Sequence, residues 1–368
     1  MTMQQDLSIS PASQPLPGAG NMPGKEDRGG PAQPLLIVEG LTKHFPVRGS
    51  MFSREKRVVH AVDNVSFSVP KGKTLGIVGE SGCGKSTTAR LIAHLMKADA
   101  GEMIFDGESL EDFRTVSHKE FRRSLQMVFQ DSFASLNPRM TIAETIAFGP
   151  RVHGMAAAEA MKLARDLLAR TGMEPNQFAN RYPHELSGGQ RQRINIARAL
   201  AFDPRLIILD ESVAALDKSV QAQVLNLLQE LKAERNLTYL FISHDLHVVH
   251  YISDLVMVMY LGQVVESGPV ERIYSTAAHP YTRALLSAVP SMDPDNRTQA
   301  PPLSGDPPNP INPPSGCRFR DRCAFAEGVC ASRAPALLPI GADSEHLAAC
   351  HLNDPTSGHS AASGRLSA

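Results

Sequence analysis

The chain has 368 residues, 37 lysines and arginines against 38 aspartates and glutamates, and a formal net charge of −1. At roughly 100–200 residues per domain that length allows two or three structural units, and 42% hydrophobic residues supply a sizeable core. The balanced charge lacks the basic excess expected of a nucleic-acid binder, and no apolar run approaches the ~20 residues of a membrane-spanning helix.

Residues 1–33 are rich in Gly, Pro, Ser and Gln without apolar periodicity, which predicts a disordered tail. They have neither the basic start nor the apolar stretch of a secretory signal. A dense body spans 34–289. Val65 to Val69 alternates at period two, predicting an antiparallel strand near its start. Thr74–Val78, Leu206–Leu209, Tyr239–Ile242 and Leu255–Met259 are short apolar runs of strand length, and helical stretches separate most of them. That pattern predicts an α/β core with a largely parallel sheet. Residues from about 120 to 202 read as mostly helical, as in Ala156–Thr171. Prolines crowd the stretch from Pro290 to Pro314, predicting a stiff extended linker or wrapping segment over 290–316. Cys317, Cys323, Cys330 and Cys350 fall within 317–351, and 352–368 is a small, polar end expected to fray. In a reducing compartment such a thiol cluster more often means metal than disulfides.

Gly79-Glu80-Ser81-Gly82-Cys83-Gly84-Lys85-Ser86 matches Gly-x₄-Gly-Lys-Ser/Thr between a strand and the helical Thr87–Ile92. Gly79, Gly82 and Gly84 allow backbone N–H groups to turn onto phosphate oxygens, and a helix N-terminus adds its positive end. Ser81 and Thr87 complete the candidate nucleotide contacts. Lys85 would reach the β- and γ-phosphates of ATP, and Ser86 would bind Mg²⁺. The strand Leu206–Leu209 ends in Asp210-Glu211. Asp210 would hold Mg²⁺, and Glu211 would polarise the attacking water. Ser187-Gly188-Gly189-Gln190 opens the helix Arg191–Ala201, a second candidate anion site.

This combination resembles ATP-binding cassette proteins, in which Leu186–Gln190 would be the signature motif. The resemblance implies further roles. Gln130 would sense the γ-phosphate and Mg²⁺ and contact a membrane partner. Ala215-Leu216-Asp217 would be the D-loop, His244 the switch histidine on the γ-phosphate, and Phe45 the aromatic that stacks on adenine. Phe45-Pro46-Val47, Val59–Val62, Ser135–Arg139, Tyr182-Pro183-His184, Val224–Leu227 and His279–Leu286 are similar to the peptide/nickel importer branch. The likeness runs from about Leu36 to Cys350, and is nearest to the second ATP-binding subunit of dipeptide and oligopeptide permeases.

The resemblance implies a P-loop (RecA-like) α/β core with an antiparallel β subdomain and a helical subdomain at about 120–202. A C-terminal Cys₄ metal-binding extension follows. It implies an ATPase on the cytoplasmic face of the inner membrane, working with a homologous sister ATPase in a heterodimer, two multispan permease subunits and a substrate-binding protein. The cargo would be peptides, with glutathione or nickel chelates as alternatives; a non-transport cassette ATPase ranks below these. Two residues depart from the branch's pattern: Ser212 stands where it has a proline, and Ala214 where it has a serine. The cysteine spacing C-x₅-C-x₆-C-x₁₉-C contains no C-x-x-C and shows only that four thiolates could meet at one metal. The resemblance implies a [4Fe–4S] cluster there, with zinc as the runner-up.

Overall fold

The computed structural model describes residue 30 and residues 32–47, 57–111, 117–288, 309–341 and 343–362. Most of the expected N-terminal tail and most of the proline-rich stretch therefore lie outside the described residues. The strands are β1 (Leu36–Val47), β2 (Arg57–Val69), β3 (Thr74–Val78), β4 (Ala100–Phe105), β5 (Glu108–Ser109) and β6 (Leu125–Val128). They continue as β7 (Leu206–Asp210), β8 (Thr238–Ile242), β9 (Leu255–Tyr260), β10 (Gln263–Pro269), β11 (Leu338–Ile340) and β12 (Asp343–Ala348).

Two sheets result. One is antiparallel, in the order β2-β1-β4-β5, and contains the strand predicted at Val65–Val69. The other runs β11-β12-β10-β9-β3-β8-β7-β6. Its centre is parallel: Ile77 lies opposite Ile242 on one side and Met257 on the other. All four predicted apolar runs are strands of this sheet, and alternation divides each between two cores. Ile77, Ile208, Leu240, Ile242 and Met257 pack with Leu91 and with Val38 and Val65 of the antiparallel sheet. Ile207, Leu209, Tyr239, Phe241 and Val258 pack on the opposite face with Ile146, Leu167, Ile196 and Leu228.

Within the span read as helical, Ile142–Val152, Ala157–Arg170 and Gly188–Leu200 are helices that pack on one another. β6 is the exception. It pairs in parallel with β7 and so belongs to the core sheet, which places the helical subdomain after Val128.

The C-terminal part also departs from expectation. β12 pairs antiparallel with β10, and β11 with β12, so the cysteine-bearing segment adds two strands to the main sheet. The end of the proline-rich stretch lies along β2: His60 N–H donates to Pro310 O (3.2 Å) and Asn312 N–H to Val58 O (3.1 Å). Composition predicts fraying after Leu352, yet as far as Ala362 the chain folds back. His359 is buried with Nε2 2.8 Å from Phe325 O, and Ser357 Oγ donates to His351 O at 2.8 Å.

One buried acid joins this extension to the core. Glu266 on β10 is fully buried, just past a register shift that re-aims it. Its carboxylate accepts from Ala278 N–H (2.6 Å) and His279 N–H (2.9 Å) and lies 2.7 Å from His346 Nε2 on β12. His279 is buried too, and burial pulls its imidazole down to about 4, outweighing the nearby Glu266 charge. It is therefore neutral, and its Nδ1 accepts from Tyr281 N–H (3.0 Å), capping the helix Pro280–Ser287. Removing one member of a buried, hydrogen-bonded charged group costs about 3–5 kcal/mol. Glu266→Ala should lower unfolding stability by about that much in a urea titration and expose the chain after Arg320 to protease. A loss below about 1 kcal/mol would show that Glu266 does not hold the two parts together.

Candidate nucleotide site and C-terminal cysteine pocket

The loop Gly79–Ser86 leaves β3 and enters the helix Lys85–Ile92. Its glycines are needed sterically. A Cβ on Gly84, at φ 110°, would lie 2.2 Å from Ala61 O, and one on Gly79 would lie 2.2 Å from Met259 O. Lys85 is buried, with Nζ donating to Gly79 O (2.7 Å) and Glu80 O (3.0 Å); it makes no ion pair among the described residues. A buried ammonium held by loop carbonyls, with Cys83 Sγ also 3.7 Å away, suits a phosphate oxygen as partner. Ser81 and Gly82 are exposed, and Thr87 lies in the first turn of the helix.

Asp210 ends β7 and is 4% exposed. Ser86 Oγ donates to its Oδ1 at 2.9 Å. Burial raises the Asp210 carboxyl above its ordinary value, and the Ser86 bond opposes that shift. A hidden carboxylate beside a hydroxyl is a donor set that fits Mg²⁺.

Glu211 follows at φ 46°, a left-handed conformation that its N–H bond to Ile242 O (2.9 Å) holds in place. Its carboxylate gathers the other two predicted residues. Gln130 Nε2 donates to Oε2 at 2.9 Å, and His244 Nδ1 lies 3.6 Å from the same oxygen. Gln130 follows β6 and His244 follows β8, so parallel strands deliver the site along one edge of the sheet.

The other motif residues lie elsewhere. Ser187 caps the helix Gly188–Leu200: its hydroxyl accepts from Gln190 N–H (3.3 Å), while Gln190 Oε1 accepts from Ser187 N–H (3.0 Å). Asp217 caps the helix Lys218–Arg235 by a one-way bond, its carboxylate accepting from Val220 N–H at 2.9 Å. These two helix starts touch. A Cβ on Gly189 would lie 2.3 Å from Val220 Cγ1, so glycine here serves close packing as well as any ligand. No hydrogen bond among the described residues joins Ser187–Gln190 to the P-loop of the same chain. Phe45 lies on β1 opposite Val59, half-buried, with the Lys43 ammonium 5.7 Å from its ring.

The four C-terminal cysteines line one small pocket, with Phe319 and Leu352 among its walls. All are free thiols, and Cys317 N–H donates to Cys330 O at 2.7 Å. Burial pushes Cys317 up to about 11 and Cys350 up to about 12, with like-charge repulsion from the other cysteines adding to it. Among the described residues, no three of these sulfurs lie within 4.8 Å of one another. A tetrahedral zinc thiolate, with Zn–S of ~2.3 Å, would draw its sulfurs to about 3.8 Å. Sequence reading missed the arginines that flank these cysteines: Arg318 pairs with Asp63, and Arg322 with Glu80 in the P-loop.

Residues 62–214 match the ABC transporter family model, and residues 265–330 match the oligopeptide/dipeptide transporter C-terminal region. The chain is 49% identical over 322 residues to the oligopeptide transport ATP-binding protein AppF of Bacillus subtilis, covering 86% of this chain and 97% of that one. The chain belongs to the ATP-binding cassette family. It is an ABC-type ATPase whose C-terminal region is that of the oligopeptide/dipeptide branch. The dipeptide transport ATP-binding protein DppF of Escherichia coli K12 is 45% identical over 88% of this chain and 95% of its own length. Among solved structures, CbiO1 of Clostridium perfringens aligns with a TM-score of 0.57 at 28% identity, covering 66% of this chain and 91% of that one. A dimeric cassette bound to ADP and Pi in a post-hydrolysis state aligns with a TM-score of 0.56 at 29% identity, over 64% and 98%.

Because its folded-state value is raised, ionised Asp210 costs stability above the ordinary carboxylate range, and that cost fades as pH falls through it. Asp210→Asn should therefore raise the melting temperature of the nucleotide-free chain at about pH 7.5, with the gain shrinking toward about pH 4.5. Equal melting temperatures at the higher pH would show that the burial cost is already compensated.

Proposed function

We propose that this chain is the ATP-hydrolysing subunit of an importer that carries dipeptides or oligopeptides across the cytoplasmic membrane from its cytoplasmic face. The observation that carries the hydrolytic part is the Glu211 carboxylate, bonded to Gln130, beside His244 and one residue from Asp210. The cargo class is supported by the matched C-terminal region and by the relatives' names.

In this reading the P-loop N–H groups and Lys85 bind the phosphates, and Phe45 stacks on adenine. Ser86 and Asp210, with Gln130, would hold Mg²⁺, which neutralises phosphate charge when bound. Glu211 orients the attacking water and takes its proton, and His244 binds the γ-phosphate. Ser187 to Gln190 lie apart from this chain's P-loop and complete the site of a second cassette, for which a homologous sister subunit is the proposed partner. Asp217 faces the same junction. Phe133, Phe148 and Val152 are exposed apolar side chains of the helical subdomain, which suits docking of a permease subunit near Gln130. No described helix is long and apolar enough to cross a membrane.

Cys317, Cys323, Cys330 and Cys350 would hold the [4Fe–4S] cluster. Their convergence on one pocket supports a shared metal centre, and the resemblance to peptide-importer ATPases favours the cluster, with zinc as the alternative.

Glu211→Gln should keep ATP binding while hydrolysis by the assembled transporter falls about 10²–10⁴-fold, as expected on losing a positioned base. Near-wild-type turnover would remove Glu211 from that role. Uptake of labelled dipeptides and oligopeptides should fall in parallel, and a transporter that moves neither has another cargo. For the cysteine pocket, anaerobically purified protein should be brown and Cys323→Ser colourless. One zinc per chain, or no metal in fully folded protein, would replace the cluster reading.

A further inference from the structure

Arg322 stands one residue before Cys323, yet its side chain reaches the P-loop. Its guanidinium forks onto the Glu80 carboxylate, Nη1 to Oε2 at 2.8 Å and Nη2 to Oε1 at 3.0 Å. The Arg322 side chain is only 7% exposed. Glu80 is fixed a second time, because its N–H donates to Tyr281 Oη at 2.9 Å. The Tyr281 ring packs 5.4 Å from that of Phe319, which lies between Cys317 and Cys323. The other end of the loop is braced from the same segment. Gly262 N–H donates to Cys83 O (2.9 Å), and the preceding carbonyl, Leu261 O, accepts from Arg318. Arg318 is in turn anchored on Asp63.

Glu80 is a carboxylate inside a loop that receives phosphates. Unpaired, its charge would repel the incoming anion and its backbone would be freer to turn away. Paired with a bidentate arginine, the charge is neutralised and the N–H directions of the loop are set before the ligand arrives. We propose that Arg322 is a positioning residue for ATP binding that acts through Glu80, and that the cysteine-bearing segment is a working part of the phosphate site. This rests on the reading of Gly79–Ser86 as an ATP site, but not on which metal, if any, the cysteines hold.

The test uses the full chain in its assembled transporter, with KM and kcat for MgATP measured together and a fluorescent ATP analogue used to titrate the chain. Arg322→Ala should raise KM about 10-fold, with kcat changed less than about 2-fold. Arg322→Lys keeps the charge but loses the fork and should give a smaller rise, about 3-fold. In a Glu80→Gln background, where the carboxylate is gone, Arg322→Ala should have little further effect on KM. An unchanged KM, a fall confined to kcat, or an equal rise in both backgrounds would overturn the proposal, the last because it would mark general destabilisation. Should Arg322→Ala fail to fold, Arg322→Lys with and without Glu80→Gln measures the same coupling. A KM rise found only in samples that have lost metal would also overturn it. A wild-type chain that binds no nucleotide would instead overturn the ATP-site reading, and this proposal with it.

Discussion

Parallel pairing of β3, β8, β7 and β6 is the constraint on which the site depends. Strands that run the same way end along one edge, so whatever follows each of them is gathered there without further instruction. After β3 comes the phosphate loop, after β7 the pair Asp210-Glu211, after β8 His244 and after β6 Gln130. Residues far apart in the chain thereby come within hydrogen-bonding reach, as Gln130 and Glu211 do. The flanking layers serve this edge. The antiparallel sheet fills one face and brings Ala61 O against Gly84, and the helical layer fills the other and carries Ser187 outward.

Much of this was legible in the sequence because it is local. A phosphate loop, a strand ending in two acids and a capped helix start are each written in a handful of consecutive residues. β6 was not legible: Leu125-Gln126-Met127-Val128 is short, carries a glutamine, and sits at a sheet edge beside helical sequence. The joining of the C-terminal segment to the core was hidden for a different reason. β12 is largely polar in sequence, and its stabilising partner, Glu266, is a charged residue in a strand that pattern reading treats as exposed. Only the meeting of Glu266, His346 and two backbone N–H groups makes that burial favourable, and no spacing rule announces a group assembled from β10, β12 and a helix start. The same holds for Arg322 and Glu80, which lie 242 positions apart.

The two departures from the branch's pattern both fall in the turn after the acid pair. Ser212 is buried, its hydroxyl without a hydrogen-bond partner among the described residues, while Ala214 is exposed. The turn they occupy is nevertheless closed, by Ala214 N–H to Glu211 O (3.2 Å) and Leu216 N–H to Val213 O (3.3 Å). The position of Glu211 rests on its own bond to Ile242 and on these turn bonds, which explains how the carboxylate keeps its neighbours without a proline behind it.

The contact between Gly189 and Val220 has a mechanical meaning. With no side chain at 189, the start of one helix sits directly on the start of another, and there is no slack between them to absorb a displacement. The capped start at Ser187 therefore rests on Val220, in the first turn of the helix that Asp217 caps, and the short closed turn from Glu211 leads into that cap. In the proposed reading, the helix start that would meet a second cassette and the turn that carries Glu211 are thus joined through closely packed backbone rather than through any long side chain.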